Sequence, residues 1–327
     1  MVYGLPYKGS KNTIAERIVA ALPSGTNFVD CCCGGGAIVQ AATLSGKFKT
    51  VTGYDINKAI IGLLQATMVD FEKIDYENFP VVSKEEFYAA RDRNETLYDF
   101  LIRYTCSFGF NGMEYLWGES RTKYKTLMHN AISLPTMEQR RQAIRDFVGC
   151  LVKDKLSEAE LKNLTHLDQV TNLNRFHEVE NTMRSRESKT KLDFVCGSMF
   201  DIPFEKYDVI YFDPPYAGTK GYNGKQFSFI MFRTLLQVLK DMGKTVFVSE
   251  YNQPAEGFTE VASFNKMMTQ KADENRLVLE KLFYGGSKEQ YDSLEGLSTP
   301  SESDSDTPVL DNTDERTGET ETDRGVV

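Results

Sequence analysis

The sequence, 327 residues long, lacks the patterns that mark membrane, secreted and zinc-binding proteins. No apolar run is long enough to cross a bilayer, and the first residues lack the apolar core of a signal peptide. The six cysteines form no Cys-x-x-Cys pair, and the three histidines, His129, His166 and His177, have no metal-ligand spacing. We therefore expect a soluble cytoplasmic protein that binds no metal and has no disulfide framework.

Two signatures of phosphate binding are also missing. Residues 34–36 are three consecutive glycines, but no Gly-x-Gly-x-x-Gly pattern can be aligned on them and no Gly-Lys-Ser/Thr of a Walker A loop follows. These absences argue against a dinucleotide and a nucleoside triphosphate as ligands. A nucleoside that carries no pyrophosphate fits the glycines better, although three glycines can also form nothing more than a tight turn.

Acidic charge is concentrated at the end of the chain. Residues 286–327 contain 12 acidic and 3 basic side chains, which account for the whole net charge of −9, so residues 1–285 are neutral. This last segment is rich in Ser, Thr, Asp, Glu and Gly, and its composition predicts disorder. Residues 121–191 contain 14 basic and 9 acidic side chains. That excess could contact DNA phosphates, or it could be the solvated face of helices.

A strand, a glycine turn, a helix and a second strand are predicted in that order near the start of the chain. Residues 27–31 and 49–54 have the apolar character of strands, and residues 37–42 favour a helix. Asp55 follows the second strand, 21 positions after Gly34. In Rossmann-like units an acidic residue at a similar distance accepts hydrogen bonds from ribose hydroxyls. The pattern therefore predicts a nucleoside-binding βαβ unit.

The four residues Asp213, Pro214, Pro215 and Tyr216 follow another strand-like run at residues 207–212. We expect them at the carboxyl end of a strand, where open α/β sheets bind ligands. The Asp213 carboxylate and the Pro214 carbonyl could accept the two N–H groups of an adenine amine, while Tyr216 stacks on the base. The prolines would fix the backbone that aims the carbonyl. The alternative is a stiff turn, since Asp and Pro are common turn residues.

The glycine turn, residues 55–57 (Asp-Ile-Asn) and the Asp-Pro-Pro-Tyr motif, in this order, resemble the Dam-like alpha group of N6-adenine DNA methyltransferases. Residues 7–11, Tyr-Lys-Gly-Ser-Lys, are similar to the aromatic-x-Gly-Gly-Lys motif that precedes the glycine turn in that family. Residues 107–112 and 246–252 are similar to other family segments. The resemblance covers residues 3–285, which leaves out only the acidic tail.

This resemblance implies an enzyme that uses S-adenosylmethionine to methylate adenine N6 in double-stranded DNA. It implies that the Asp-Pro-Pro-Tyr residues are catalytic, and that the cofactor contacts come from Tyr7, Lys11, Asp30, Cys32, Gly34, Gly36, Asp55 and Asp213. Cys32 stands where the family has a phenylalanine beside the cofactor. We also expect a monomer in a bacterial cell or a phage-infected host, with a cognate restriction enzyme as a candidate partner.

Helical patterns fill the segment between the two halves of the unit, at residues 84–93, 96–108, 136–151 and 157–164. The resemblance makes residues 85–190 the target-recognition region. Its candidate DNA contacts are six basic side chains, Arg121, Lys123, Lys125, Arg140, Arg141 and Arg145. The expected fold is a Rossmann-like methyltransferase sheet from residues 1–84 and 191–285, with a mainly helical insertion and a disordered tail from residue 286.

Other interpretations of the same residues remain open. The acceptor could be cytosine N4 or an RNA adenine, although the Asp that begins Asp-Pro-Pro-Tyr favours adenine by family resemblance. The chain could also be a DNA-binding protein that keeps only a vestigial cofactor fold. Four aromatic residues could fill the gap left by an extruded base or could belong to the core, namely Phe108, Phe110, Tyr115 and Trp117. Residues 217–226 could close over the base.

Overall fold

The computed structural model describes residues 2–76, 79–155, 168–215, 227–271, 274–294 and 296. A seven-stranded sheet lies at its centre, in the order β3-β2-β1-β4-β5-β7-β6. In chain order the strands are β1 Gly25–Asp30, β2 Phe48–Asp55, β3 Lys191–Cys196, β4 Val209–Phe212, β5 Thr245–Glu250, β6 Thr259–Lys271 and β7 Glu274–Tyr284. Strands β1 to β5 are parallel, whereas β7 runs antiparallel to both β5 and β6.

The strand order reverses at the pair formed by β1 and β4. These two strands are parallel neighbours, with Phe28 opposite Val209 and Asp30 opposite Tyr211. A reversal of this kind opens a crevice beyond the carboxyl ends of the strands, because the connections from the two strands lead away in opposite directions. The sheet confirms the predicted α/β, Rossmann-like architecture.

Helices cover both faces of the sheet. In chain order they are α1 Ala15–Ala20, α2 Ala37–Ser45, α3 Lys58–Gln65, α4 Lys84–Arg93, α5 Leu97–Thr105, α6 Glu119–Ser133, α7 Met137–Asp154, α8 Asp168–Arg184, α9 Phe229–Asp241 and α10 Lys288–Asp292. Phe28 packs into one buried cluster with α2 and α3, and Val29 into another with α9, because successive strand residues point to opposite faces.

Capping side chains begin two helices where the sequence predicts them. Ser83 accepts a hydrogen bond from a backbone N–H in the first turn of α4, and Thr136 forms a capping box at the start of α7. The helix predicted at residues 96–108 ends at Thr105, because the chain then turns through Gly109 with φ of 57°. The helix predicted at residues 157–164 lies outside the described residues.

The helical segment between β2 and β3 shares the core of the sheet at both of its ends. Phe100 of α5, and Phe176 and Val179 of α8, belong to the same buried cluster as Leu64 of α3. Helices α6 and α7 pack against each other, and none of their described residues belongs to that cluster. The segment is therefore continuous with the sheet through α5 and α8, and extends from it through α6 and α7.

The chain stays folded past residue 286, where the sequence predicts a disordered tail. Ser287 caps α10, and Tyr291 within that helix is buried beside Tyr284. The Tyr291 hydroxyl donates to the carbonyl of Ala21 at 2.9 Å. The prediction is thus wrong for residues 286–294, because a composition averaged over the whole segment hides a single aromatic anchor. Residues 297–327 lie outside the part of the chain that is described.

The two described histidines pack against aromatic rings. His129 packs edge-on against the Trp117 ring, and His177 stacks on Tyr76, while His166 is not among the described residues. Within the described ranges, no three His, Cys, Asp or Glu side chains are placed to hold a metal ion. Nor does any helix described combine the length and apolar character that a membrane crossing requires.

Candidate active site

The predicted site residues meet at the carboxyl edge of the sheet, beside the crevice between β1 and β4. Asp30 ends β1, Asp55 ends β2 and Asp213 follows β4 directly. Lys11 reaches the same place from the segment before α1 and contacts Asp213. The topology therefore gathers residues that lie up to 202 positions apart in the sequence.

The glycine turn after β1 can be formed only by glycine at two positions. Gly34 and Gly36 have φ of 47° and 74°, in the left-handed region that side chains other than glycine rarely adopt. A Cβ on Gly34 would lie 2.9 Å from the ring of Tyr7, and one on Gly36 would lie 2.6 Å from Leu64. The turn is therefore packed tightly, with the aromatic ring of Tyr7 lying against its outer side.

Backbone hydrogen bonds fix the carboxylate of Asp55. Its Oδ2 accepts from the N–H of Gly34 at 3.0 Å, and its Oδ1 accepts from the N–H of Asn57 at 2.8 Å. Burial raises the pKa of Asp55, and these two hydrogen bonds lower it, with a net rise. A carboxylate oxygen can accept more than one hydrogen bond, so Asp55 can still accept from a ligand.

Asn57 and Tyr104 form a hydrogen-bonded chain next to Asp55. Neither was identified from the sequence as a site residue. The Asn57 amide donates to the Tyr104 hydroxyl at 2.6 Å, and its Oδ1 caps α3 by accepting from Ala59. The Tyr104 ring also lies 5.7 Å from the ring of Tyr7, centroid to centroid. Tyr104 belongs to α5, so the helical segment directly contacts the residues around Asp55.

Lys11 and Asp213 form a buried ion pair. The Lys11 Nζ lies 2.7 Å from Oδ1 and 2.6 Å from Oδ2 of Asp213, and the side chains are 3% and 19% exposed. Glu280 of β7 is a second carboxylate, 3.7 Å from the same Nζ and only 1% exposed. Burial would lower the pKa of Lys11, but the carboxylates of Asp213 and Glu280 raise it above its usual value. Lys11 is therefore held in its charged form.

Asp30 lies beneath the turn and is almost completely buried, 1% exposed. Its Oδ1 accepts from the N–H of Cys32 at 3.2 Å. Burial raises the pKa of Asp30 well above its usual range. Burial likewise raises the pKa of Cys32, which keeps the thiol protonated. In this position Asp30 supports the turn, and Cys32, which is partly exposed, lies closer to the crevice.

Two of the remaining motif residues are described. Pro214 is buried and Pro215 is partly exposed, directly after Asp213. Tyr216 and residues 217–226, the predicted stacking residue and closing loop, lie outside the described ranges.

Two exposed apolar side chains follow the ends of β2 and β3 and were not identified from the sequence as site residues. Ile56, directly after Asp55, is 61% exposed, and Phe200, in the short turn after β3, is 39% exposed. The ends of β2 and β3 are joined here, since the N–H of Gly197 donates to the carbonyl of Asp55 at 3.0 Å. An exposed apolar residue immediately after a strand-end acid is the signal that could have identified Ile56.

The predicted DNA-contacting side chains differ in their accessibility. Arg121, Arg141 and Arg145 are exposed. Lys123 is exposed and pairs with Asp154 at 2.7 Å. Lys125, by contrast, is only 3% exposed, so the expectation that it contacts phosphates is wrong for this conformation, because α6 turns this side chain inward.

The other residues predicted to contact DNA also differ in exposure. Arg140 donates through Nε to the carbonyl of Leu134, at the turn between α6 and α7. Tyr115 and Trp117 are buried, whereas Phe108 is 61% exposed. Phe110, with a positive φ of 57°, is partly exposed beside it. Of these aromatic residues, only Phe108 and Phe110 can therefore contact a partner in this conformation.

The sequence matches a known protein family over most of its length. Residues 7–283 match the model of a family described as D12 class N6 adenine-specific DNA methyltransferase. No relative is found among curated protein sequences. Among solved structures, the chain is similar to the rRNA methyltransferase AviRa from Streptomyces viridochromogenes, with 12% identity, a TM-score of 0.35, and coverage of 83% of this chain and 81% of that one. A Haemophilus influenzae protein described as a proposed methylase has 11% identity and a TM-score of 0.31, with coverage of 86% and 92%.

Proposed function

The chain belongs to the D12 class of N6 adenine-specific DNA methyltransferases, and from this premise we propose that it transfers the methyl group of S-adenosylmethionine to adenine N6 in double-stranded DNA. One observation carries the proposal. The glycine turn, the fixed carboxylate of Asp55 and the buried pair of Lys11 and Asp213 meet at one crevice of the sheet. A nucleoside site thereby lies next to an acceptor for an amine.

The residues around Asp55 fit a nucleoside cofactor. The turn at Gly34 brings backbone close to the site, and Asp55 can accept the ribose hydroxyls. The exposed apolar side chains of Ile56 and Phe200 match the faces of an adenine ring, and Tyr7 borders the turn. When bound, S-adenosylmethionine supplies an electrophilic methyl group on a sulfonium centre.

Asp213 and Pro214 would hold the reacting amine. The N6 lone pair of adenine is delocalised into the ring, so the amine is a weak nucleophile. Hydrogen bonds from its two N–H groups to the Asp213 carboxylate and the Pro214 carbonyl strengthen as the nitrogen becomes tetrahedral and positive. Such bonds stabilise the transition state more than the ground state.

The target adenine must leave the duplex to reach this crevice. We assign Tyr216 the stacking contact with the extruded base. We assign the vacated space in the duplex to Phe108, which is exposed in the turn after α5. Arg121 and Arg141, exposed on α6 and α7, would contact phosphates.

The test is to incubate the purified protein with methyl-labelled S-adenosylmethionine and unmethylated double-stranded DNA, and then to analyse the nucleosides. We expect N6-methyladenine from the wild type, and a loss of about 100- to 1,000-fold in Asp213→Ala. Asp241→Ala, at the exposed end of α9, is the matched control and should retain wild-type activity.

Each other outcome would contradict the proposal in a distinct way. N4-methylcytosine, or faster modification of RNA than of DNA, would make the proposed substrate wrong. Binding of cofactor and DNA without any product would identify a protein with a vestigial site. Full activity in Asp213→Ala would remove the chemistry assigned to the Asp-Pro-Pro-Tyr motif.

A further inference from the structure

We propose that Glu280 is a positioning residue for methyl transfer, which acts by sharing Lys11 with Asp213. The proposal rests on the function proposed above. Glu280 lies on β7, the strand that runs antiparallel to its neighbours β5 and β6, and its side chain lies 3.7 Å from the Lys11 ammonium that pairs with Asp213. No sequence motif considered above includes it.

The geometry shows why a second carboxylate matters. The Lys11 ammonium donates to both oxygens of Asp213, at 2.7 and 2.6 Å. If Lys11 had no other anion nearby, it would be committed to Asp213 and would weaken that carboxylate as an acceptor. Glu280, 3.7 Å from the same nitrogen, offers an alternative partner. Lys11 can therefore stay charged and buried while Asp213 accepts an N–H from the substrate.

The sum of the charges around Lys11 also supports a role for Glu280 in methyl transfer. Lys266 of β6 donates to the carbonyl of Ser10 at 2.7 Å, beside Lys11, and so brings a second cation to this region. With both lysines protonated, Asp213 and Glu280 make the four charges sum to zero. Without Glu280 the sum is +1, next to a sulfonium and to an amine that becomes positive during the reaction. In a region shielded from water, that excess opposes the transition state.

Other groups face the same cluster. The Tyr251 phenol, at the end of β5, lies near Glu280 and Lys11, and the negative charge of Glu280 adds to burial in raising its pKa. Asp30 is close enough to Asp213 and Lys11 for their charges to affect its pKa. Neither of these side chains comes from β7, whereas Glu280 brings a charge from that strand to Lys11.

The experiment compares Glu280→Gln with Glu260→Gln. Glu260 lies on β6 in the same hairpin and pairs at 2.8 Å with Lys281 in an exposed ion pair, so it receives the same substitution without a contact to Lys11. The measurements are the single-turnover rate of N6-methyladenine formation, the Kd for S-adenosylmethionine, the Kd for DNA, and the thermal midpoint. Glu280→Asp, which keeps the charge on a shorter side chain, is the conservative variant.

We expect the single-turnover rate of Glu280→Gln to fall about 10- to 100-fold, by analogy with the loss when the hydrogen-bond partner of a metal ligand is removed. The Kd for the cofactor should change less than the rate, and the Kd for DNA should not change. Glu280→Asp should recover part of the rate, and Glu260→Gln should behave as the wild type.

A double-mutant cycle separates positioning from folding. If Glu280 acts through Lys11, Glu280→Gln should have little further effect on the rate in a Lys11→Met background. An equal loss in both backgrounds would overturn the proposal, as would a wild-type rate in Glu280→Gln. So would a rate loss that tracks the thermal midpoint and is not recovered by Glu280→Asp. Failure of the proposed function is a different result, because the wild type itself would then form no N6-methyladenine.

Discussion

Removal of either partner from the pair of Lys11 and Asp213 should destabilise the protein, and the two losses should be unequal. Breaking a buried ion pair by removing one partner costs about 3–5 kcal/mol, because a charge is left uncompensated. In Asp213→Ala, Lys11 keeps Glu280 at 3.7 Å, and Asp213 itself is 19% exposed. We therefore expect the free energy of unfolding to fall by about 3 kcal/mol, the lower end of that range.

Lys11→Met should cost more, about 5 kcal/mol, because it leaves the carboxylates of Asp213 and Glu280 facing each other without their shared cation. The two like charges repel each other in the folded state, which adds to the loss of their attraction to Lys11. Asp213→Ala leaves no such pair of carboxylates.

Urea unfolding of both variants and the wild type under the same conditions measures these differences directly. The reasoning requires Lys11→Met to be less stable than Asp213→Ala at neutral pH. Equal losses, or a larger loss in Asp213→Ala, would show that Lys11 is not shared between two carboxylates. Exposed Asp241→Ala provides the baseline for loss of a carboxylate at the surface.

Three further predictions concern the glycine turn, a buried lysine and the arginines proposed to contact DNA. Gly34→Ala should weaken cofactor binding, measured by titration, because its Cβ would press on Tyr7 at 2.9 Å. Burial lowers the pKa of Lys266 from 10.5 to about 8, so between pH 8 and pH 10.5 the unfolded chain binds more protons than the folded protein. The free energy of unfolding in urea should therefore rise with pH across that window. The rise should be smaller in Lys266→Met. Arg121→Gln and Arg141→Gln should each reduce the salt dependence of DNA affinity by about one unit of slope, without changing the base methylated.

Much of the sheet follows from local sequence. Apolar runs predict β1, β2 and β4 to within a few residues of their observed bounds. Strand β3 also carries a signal that was missed, since Leu192 and Phe194 alternate with more exposed residues. Strand β6 has mixed polar and apolar residues and forms its ladder only with β7, so its strand character depends on that partner.

The site residues also differ in whether local sequence predicts them. Asp55 and Asp213 could be predicted because each follows a strand directly, and position after a strand is a local property. The contact of Lys11 with Asp213 spans 202 positions and depends on the packing of the first residues against the sheet edge. Glu280 carries no local signal, since a carboxylate on a hairpin strand is normally exposed. Its burial is decided by the tertiary structure alone.

The shared core of α5 and α8 determines which part of this enzyme can be exchanged with a relative. Asn172 of α8 donates to the carbonyl of Thr105 at the end of α5, and Arg175 donates to the carbonyl of Gly4. Replacing all residues between β2 and β3 would therefore remove these contacts with the rest of the protein. The described residues of α6 and α7 lie outside that core, so a chimera that exchanges a smaller part of the chain should be joined at Gly118 and at Asp168.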